Sequence, residues 1–139
     1  MKTRVFADTG FWVALFDARD QYHSTAKAAW RRTRESGNLV TSELVVYETI
    51  TYLNCSLRNH GLTLAFVDGV AASRMPVLNL DPVSRSRALE LLRTYRDIPL
   101  SFVDCASAAL MERERIADYA GFDNHFRRLG FSSVCDDAP

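Results

Sequence analysis

Ser101-Phe102-Val103-Asp104-Cys105-Ala106-Ser107-Ala108-Ala109-Leu110-Met111 is the stretch whose reading decides the fold. Ser101 is a strong helix N-cap, and Asp104 follows it at the spacing of a capping box. Residues 105–109 carry almost no side-chain bulk, so the helix they predict can lie close against a sheet. A carboxylate at the positive end of such a helix is either a cap or a metal ligand. The other acids decide which.

Upstream, Asp81-Pro82 has the cap-then-proline order of a helix start, running to about residue 96. Val77-Leu78-Asn79-Leu80 before it predicts a strand. Downstream, residues 116–121 predict a strand ending against Phe122-Asp123. Asp123 can cap a short helix over 124–129, Gly130 ends it, residues 131–134 predict a last strand, and the tail 135–139 is expected to fray.

At the other end, residues 4–7 form a short apolar strand that stops at Asp8, and Thr9-Gly10 turns into an aromatic helix over 11–16. A helix over 23–35, with Ala26, Ala29 and Trp30 inward, is stopped by Ser36-Gly37-Asn38. His23 has no Cys or second His at ligand spacing and reads as structural. Residues 39–41 predict a second strand. Ser42 then caps a long helix to about residue 60, closed by Gly61, and residues 62–74 are helical until Pro76. Strands alternating with helices predict one α/β domain over the 139 residues. Its sheet would be mostly parallel, with about four to five strands and helices on both faces.

Formal net charge is zero, which offers no global argument for nucleic-acid binding. Lys2 and Lys27 are the only lysines, and the arginines cluster at Arg31, Arg32 and Arg34 and at Arg127 and Arg128. Arginine pairs bidentately with phosphate, although solvated helix faces explain such clusters equally well. Cys55, Cys105 and Cys135 are widely spaced with no C-x-x-C, which argues against a disulfide framework or zinc site and suits a reducing cytoplasm. No apolar run reaches membrane-spanning length, and the first residues are too poor in apolar side chains for a signal peptide.

The acids carry the functional reading. Asp8 ends the first strand, where open α/β sheets place their chemistry, although it could instead cap the helix that follows. From Leu44 to Leu57 the only ionisable side chain of consequence is Glu48. Val46, Ile50, Leu53 and Leu57 form one apolar stripe, and Leu44, Tyr52 and Cys55 share the side of Glu48. Such a helix is expected to be largely buried, with Glu48 inside or lining a cleft. Asp8 and Asp123 fall at the carboxyl edge of the predicted sheet, and the helices bearing Glu48 and Asp104 can reach it. Four carboxylates in one cleft raise one another's pKa. A hard divalent cation, Mg²⁺ or Mn²⁺, resolves the conflict and serves phosphodiester hydrolysis.

With these residues in place the sequence resembles the PIN-domain family of ribonucleases, in particular the VapC-like toxins of prokaryotic toxin–antitoxin pairs. The resemblance rests on Phe6-Ala7-Asp8-Thr9-Gly10-Phe11-Trp12, on Asp20-Gln21-Tyr22-His23, and on Thr41-Ser42 followed by Val46-Tyr47-Glu48-Thr49. It continues through Leu100-Ser101-Phe102-Val103-Asp104-Cys105-Ala106-Ser107-Ala108 and from Gly121-Phe122-Asp123-Asn124-His125 to Phe131. It implies that Asp8, Glu48 and Asp104 form an acidic metal site for Mg²⁺ or Mn²⁺, completed by Asp123, with Thr9 and Ser101 as supporting hydroxyls. It implies an endoribonuclease that leaves a 5′-phosphate and a 3′-hydroxyl, a cognate antitoxin covering the cleft, and a homodimer. Arg127 and Arg128, close after Asp123, are the candidates for holding the RNA backbone. Two positions depart from the family pattern: Gly121 stands where many relatives carry Thr or Ser, and Gly10 where Ser is common.

Other classes fare worse. Phosphoaspartyl-transfer folds need a lysine near a later strand, and both lysines are early. No Gly-x-Gly-x-x-Gly, no Gly-x-x-x-x-Gly-Lys and no Gly-x-Ser-x-Gly occurs. The remaining alternative is a PIN-like module that binds RNA or protein without cutting. The presence of all four acids argues against it.

Overall fold

The computed structural model describes residues 3–136. Its centre is a five-stranded sheet in the order β3-β2-β1-β4-β5. The strands are β1 (Val5–Ala7), β2 (Leu39–Ser42), β3 (Val77–Leu78), β4 (Asp118–Ala120) and β5 (Ser132–Ser133). Every pairing is parallel, with Phe6 opposite Val40 on one side and Tyr119 on the other. Parallel strands need crossover connections, and the sequence supplies them as helices. Between β1 and β2 lie α1 (Thr9–Phe16) and α2 (His23–Ser36), and between β2 and β3 lie α3 (Glu43–Thr51) and α4 (His60–Ala72). Between β3 and β4 lie α5 (Pro82–Thr94) and α6 (Phe102–Glu114), and α7 (His125–Arg128) precedes β5.

Chain order fixes the layers. From β1 the chain steps outward to β2 and β3, then returns across the sheet to β4 and β5 on the other side of β1. Right-handed crossovers put α1 to α4 on one face and α5 to α7 on the other. The order therefore reverses between β1 and β4, and a crevice opens at their carboxyl ends. The central strands are buried on both faces, and Phe6, Phe11, Phe66, Tyr119 and Phe126 are fully buried around them. On α6, residues 105–111 are all buried, as their small side chains allow for a helix packed closely against α5 and α3.

Several boundaries differ from the sequence reading. The strands expected over 77–80, 116–121 and 131–134 shorten to β3, β4 and β5. The long third helix does not reach residue 60. It ends as α3 and continues as a π-helical turn, Tyr52–Ser56. Arg58 then adopts a left-handed backbone (φ 53°). The Asn59 side chain accepts from the Leu62 N–H and restarts the chain as α4, so Gly61 lies inside that helix and does not close its predecessor. Nor is the third helix buried most of the way round. Val45, Val46 and Leu53 face the core, whereas Tyr47 is 58% exposed and Tyr52 41%.

The tail also differs. Cys135 is buried and its N–H donates to Ser133 Oγ at 3.1 Å, so fraying does not begin there; residues 137–139 lie outside the described residues. No helix among the described residues is long and apolar enough to cross a membrane.

Candidate active site

Asp8 sits at the floor of the crevice. Its N–H donates to Ala120 O at 3.0 Å, which ties the end of β1 to the end of β4. Asp8 occupies the N-cap position of α1, but its carboxylate makes no capping hydrogen bond, so the cap reading of this acid does not hold. The side chain is only 6% exposed. Burial, above all, lifts its pKa from 3.8 to about 7, with the charges of Asp104, Glu48 and Asp123 adding to the rise and the Thr9 backbone opposing it. Of the four predicted acids, Asp104 and Asp123 offer oxygens within 4.8 Å of one another, in a group that does not include Asp8 or Glu48.

Asp104 is both cap and site. Ser101 Oγ accepts from the Asp104 N–H at 3.0 Å, and Asp104 Oδ2 accepts from the Ser101 N–H at 3.0 Å, a reciprocal capping box. The two bonds hold the Asp104 side chain against the start of α6. Burial raises this carboxyl too, with help from Asp123 and against the hydrogen bonds of Ser101 and the charge of His125. Glu48 reaches the crevice from α3, half-buried beside Tyr47, Tyr52 and Val103 in a shallow pocket of about 420 Å³.

Asp123 hangs from the loop after β4. Tyr119 Oη donates to Asp123 O at 2.9 Å and Ser133 Oγ donates to Gly121 O at 2.8 Å, so the loop is held from two sides. Asp123 Oδ1 accepts from the His125 N–H at 2.8 Å, but the N-cap of α7 is Asn124 and not Asp123, because the short helix begins one residue later than expected, at His125. Gly121 has a physical reason here. A Cβ at this position would stand 3.1 Å from the buried Tyr119 ring and 3.4 Å from Asp8 Cβ. The ring occupies the space that a Thr or Ser would need.

His125 is the residue that sequence reasoning missed. Its Nδ1 lies 3.2 Å from Asp123 Oδ1 and 3.9 Å from Asp104 Oδ2. Asp104, Asp123 and His125 each bring a ligand atom within 4.8 Å of the others. The available signal was its place two residues after the fourth acid. Two hydroxyls are buried without a hydrogen-bond partner: Thr9 Oγ1, which was expected to support the site, and Ser107 Oγ, one turn beyond Asp104.

Among the described residues, no lysine or arginine pairs with Asp8, Glu48, Asp104 or Asp123. A buried carboxylate with acids around it and no lysine or arginine partner fits a hard divalent metal ion. Arg127 and Arg128 lie at the surface and are already paired, with Asp136 and, at 2.8 Å, with Asp97. A separate apolar cavity of about 520 Å³ between α1, α2 and α4, lined by Trp12, Trp30 and Phe66, contains none of the acids. His23 Nδ1 is 2.7 Å from Ala14 O, a structural contact between α2 and α1.

A parallel α/β sheet with a buried Asp8 at the end of its first strand, and Asp104, Asp123 and His125 grouped within 4.8 Å of one another, defines a class of acidic-cleft domain. The chain belongs to the PIN domain family, whose profile matches residues 5–132. It is 34% identical over 135 residues to the 23S rRNA-specific endonuclease VapC20 of Mycobacterium tuberculosis, in strains CDC 1551 and H37Rv alike, covering 94% of this chain and 97% of the relative. The crystal structure of M. tuberculosis VapC20, described as a sarcin–ricin-loop-cleaving toxin, superposes with a TM-score of 0.82 at 32% identity. That match covers 91% of this chain and 95% of the other.

Proposed function

We propose that this protein is a metal-dependent endoribonuclease and the toxin of a toxin–antitoxin pair. The observation that carries the reading is Asp8, a buried carboxylate whose pKa is raised by burial and by the charges of Asp104, Glu48 and Asp123, with no lysine or arginine paired to any of the four among the described residues. The naming of similar proteins as RNA endonucleases supports the same reaction class.

Asp8, Glu48, Asp104 and Asp123 would hold Mg²⁺ or Mn²⁺. When bound there, a divalent cation makes water a better nucleophile and offsets the charge that develops on the phosphate. The protein's own part is positioning. The Ser101–Asp104 capping box would hold the Asp104 carboxylate in position. The Asp8–Ala120 bond and the Tyr119–Asp123 bond fix the two strand-end acids relative to each other. Thr9, whose buried hydroxyl has no hydrogen-bond partner, would orient water. Hydrolysis in this arrangement would leave a 5′-phosphate and a 3′-hydroxyl. Arg127 and Arg128 would attract the RNA backbone from the rim. A cognate antitoxin, a homodimer and a cytoplasmic location belong to the same reading, and ribosomal RNA is the substrate to try first.

The test is cleavage of purified cellular RNA by wild type and Asp8→Ala with Mn²⁺, Mg²⁺ or EDTA. Discrete fragments that require metal and vanish in the variant are expected. An intact RNA pool with folded wild type and either metal would instead favour a module that binds without cutting.

A further inference from the structure

His125 places its buried Nδ1 between two of the acids, 3.2 Å from Asp123 Oδ1 and 3.9 Å from Asp104 Oδ2. Proximity alone would suggest an ion pair, but Nδ1 makes no hydrogen bond with either oxygen. Asp123 Oδ1 already accepts from the His125 backbone N–H at 2.8 Å, and Asp104 Oδ2 accepts from Ser101 N–H at 3.0 Å. Both carboxylates are therefore engaged by backbone donors while the imidazole nitrogen beside them is left without a partner. A buried polar atom without a partner carries a cost that a ligand would remove. All three groups offer atoms within 4.8 Å of one another, a spacing that one ion can bridge.

We propose that His125 Nδ1 is a metal ligand, making the Asp104–Asp123 side of the cleft a mixed oxygen–nitrogen site that favours Mn²⁺ over Mg²⁺. The inference rests on the metal-site reading above and adds a ligand to it. Mg²⁺ is hard, prefers oxygen and retains its waters, whereas imidazole suits the transition metals. An all-carboxylate cleft would discriminate weakly between the two ions; a nitrogen donor shifts the choice. The geometry also predicts which substitution is clean. His125→Ala removes the ring but keeps the backbone N–H that Asp123 accepts, so the loop retains its anchor.

The experiment is electron spin-echo spectroscopy of Mn²⁺ bound to the full-length protein, followed by Mn²⁺ and Mg²⁺ titrations of wild type, His125→Ala and Asp104→Asn. Nitrogen modulation from one imidazole is expected in the wild type and should be absent in His125→Ala. That variant should lose about tenfold or more in Mn²⁺ affinity, with a much smaller change for Mg²⁺. The wild-type spectrum needs no variant, so a folding defect cannot hide the answer. Mn²⁺ bound in an Asp104-dependent way without nitrogen modulation would overturn the ligand assignment and leave the acidic site standing. Tighter Mn²⁺ binding in His125→Ala would show instead that the ring acts as a competing cation. No Mn²⁺ binding to folded wild type would overturn this inference together with the metal-site reading beneath it.

Discussion

Asp8→Asn removes a charge that the fold is built to bury, and its effect on stability can be worked out. Folding moves the Asp8 carboxyl from 3.8 to about 7. Between those values the folded protein keeps a proton that the unfolded chain releases, so stability falls as pH rises through the window. About three pH units at about 1.4 kcal/mol each is on the order of 4 kcal/mol, a penalty fully present above pH 7 and absent below pH 4. With 6% of the side chain exposed, solvent screening removes little of it. Asp104 is raised as well, which adds to the stability the wild type loses as pH rises. Asparagine cannot ionise. In EDTA, the gap between variant and wild type should therefore widen in favour of the variant from pH 4 to pH 8, by an amount of that order. Urea denaturation at pH 4, 6 and 8 reads it, with equal m-values confirming that the unfolded states are comparable. Parallel pH profiles for the two proteins would refute the reasoning, because Asp8 would then ionise as easily in the fold as in water.

Other consequences are quicker to check. Gly121→Ser should cost about 1–3 kcal/mol in urea denaturation by pressing on Tyr119 and Asp8. Gly10→Ser, with nothing within 4 Å of the added carbon, should be neutral or slightly stabilising. Ser101→Ala deletes the acceptor for the Asp104 N–H and should lower stability by about 1 kcal/mol, or Tm by about 3 °C, in a thermal melt. Arg127→Ala with Arg128→Ala should weaken RNA binding most at low salt and flatten the salt dependence. Unchanged binding in a filter assay would remove both residues from the interface.

Much of this molecule can be read from its residues, because the acids and their flanks obey local rules. Ser101 and Asp104 sit at capping-box spacing, and the capping box forms. Asp8 ends a three-residue strand that is buried throughout, and alternating strands and helices leave a parallel sheet as the economical arrangement. What escaped the sequence depends on contacts between distant segments. The third helix reads as continuous because residues 52–57 keep helical spacing, yet Arg58 turns left-handed and Asn59 starts a new helix. Tyr47 and Tyr52 fit a dimer surface or core packing equally well in the sequence, and the structure leaves both exposed beside Glu48. Cys135 reads as the start of a polar tail and is instead buried, its N–H held by Ser133 Oγ. His125 gave no motif of its own, and only the approach of α6 to the loop after β4 reveals its position. Gly121, a departure from the family pattern, is explained by the bulk of Tyr119 two residues earlier.

The most direct measurement compares RNA cleavage by wild type with Asp8→Asn, Glu48→Gln, Asp104→Asn and Asp123→Asn side by side, in Mn²⁺, after each is shown to be folded. If four carboxylates share one catalytic metal site, every variant should lose most of its cleavage, and the wild-type fragments should carry 5′-phosphates. Full cleavage by all four variants would contradict the site and the function drawn from it.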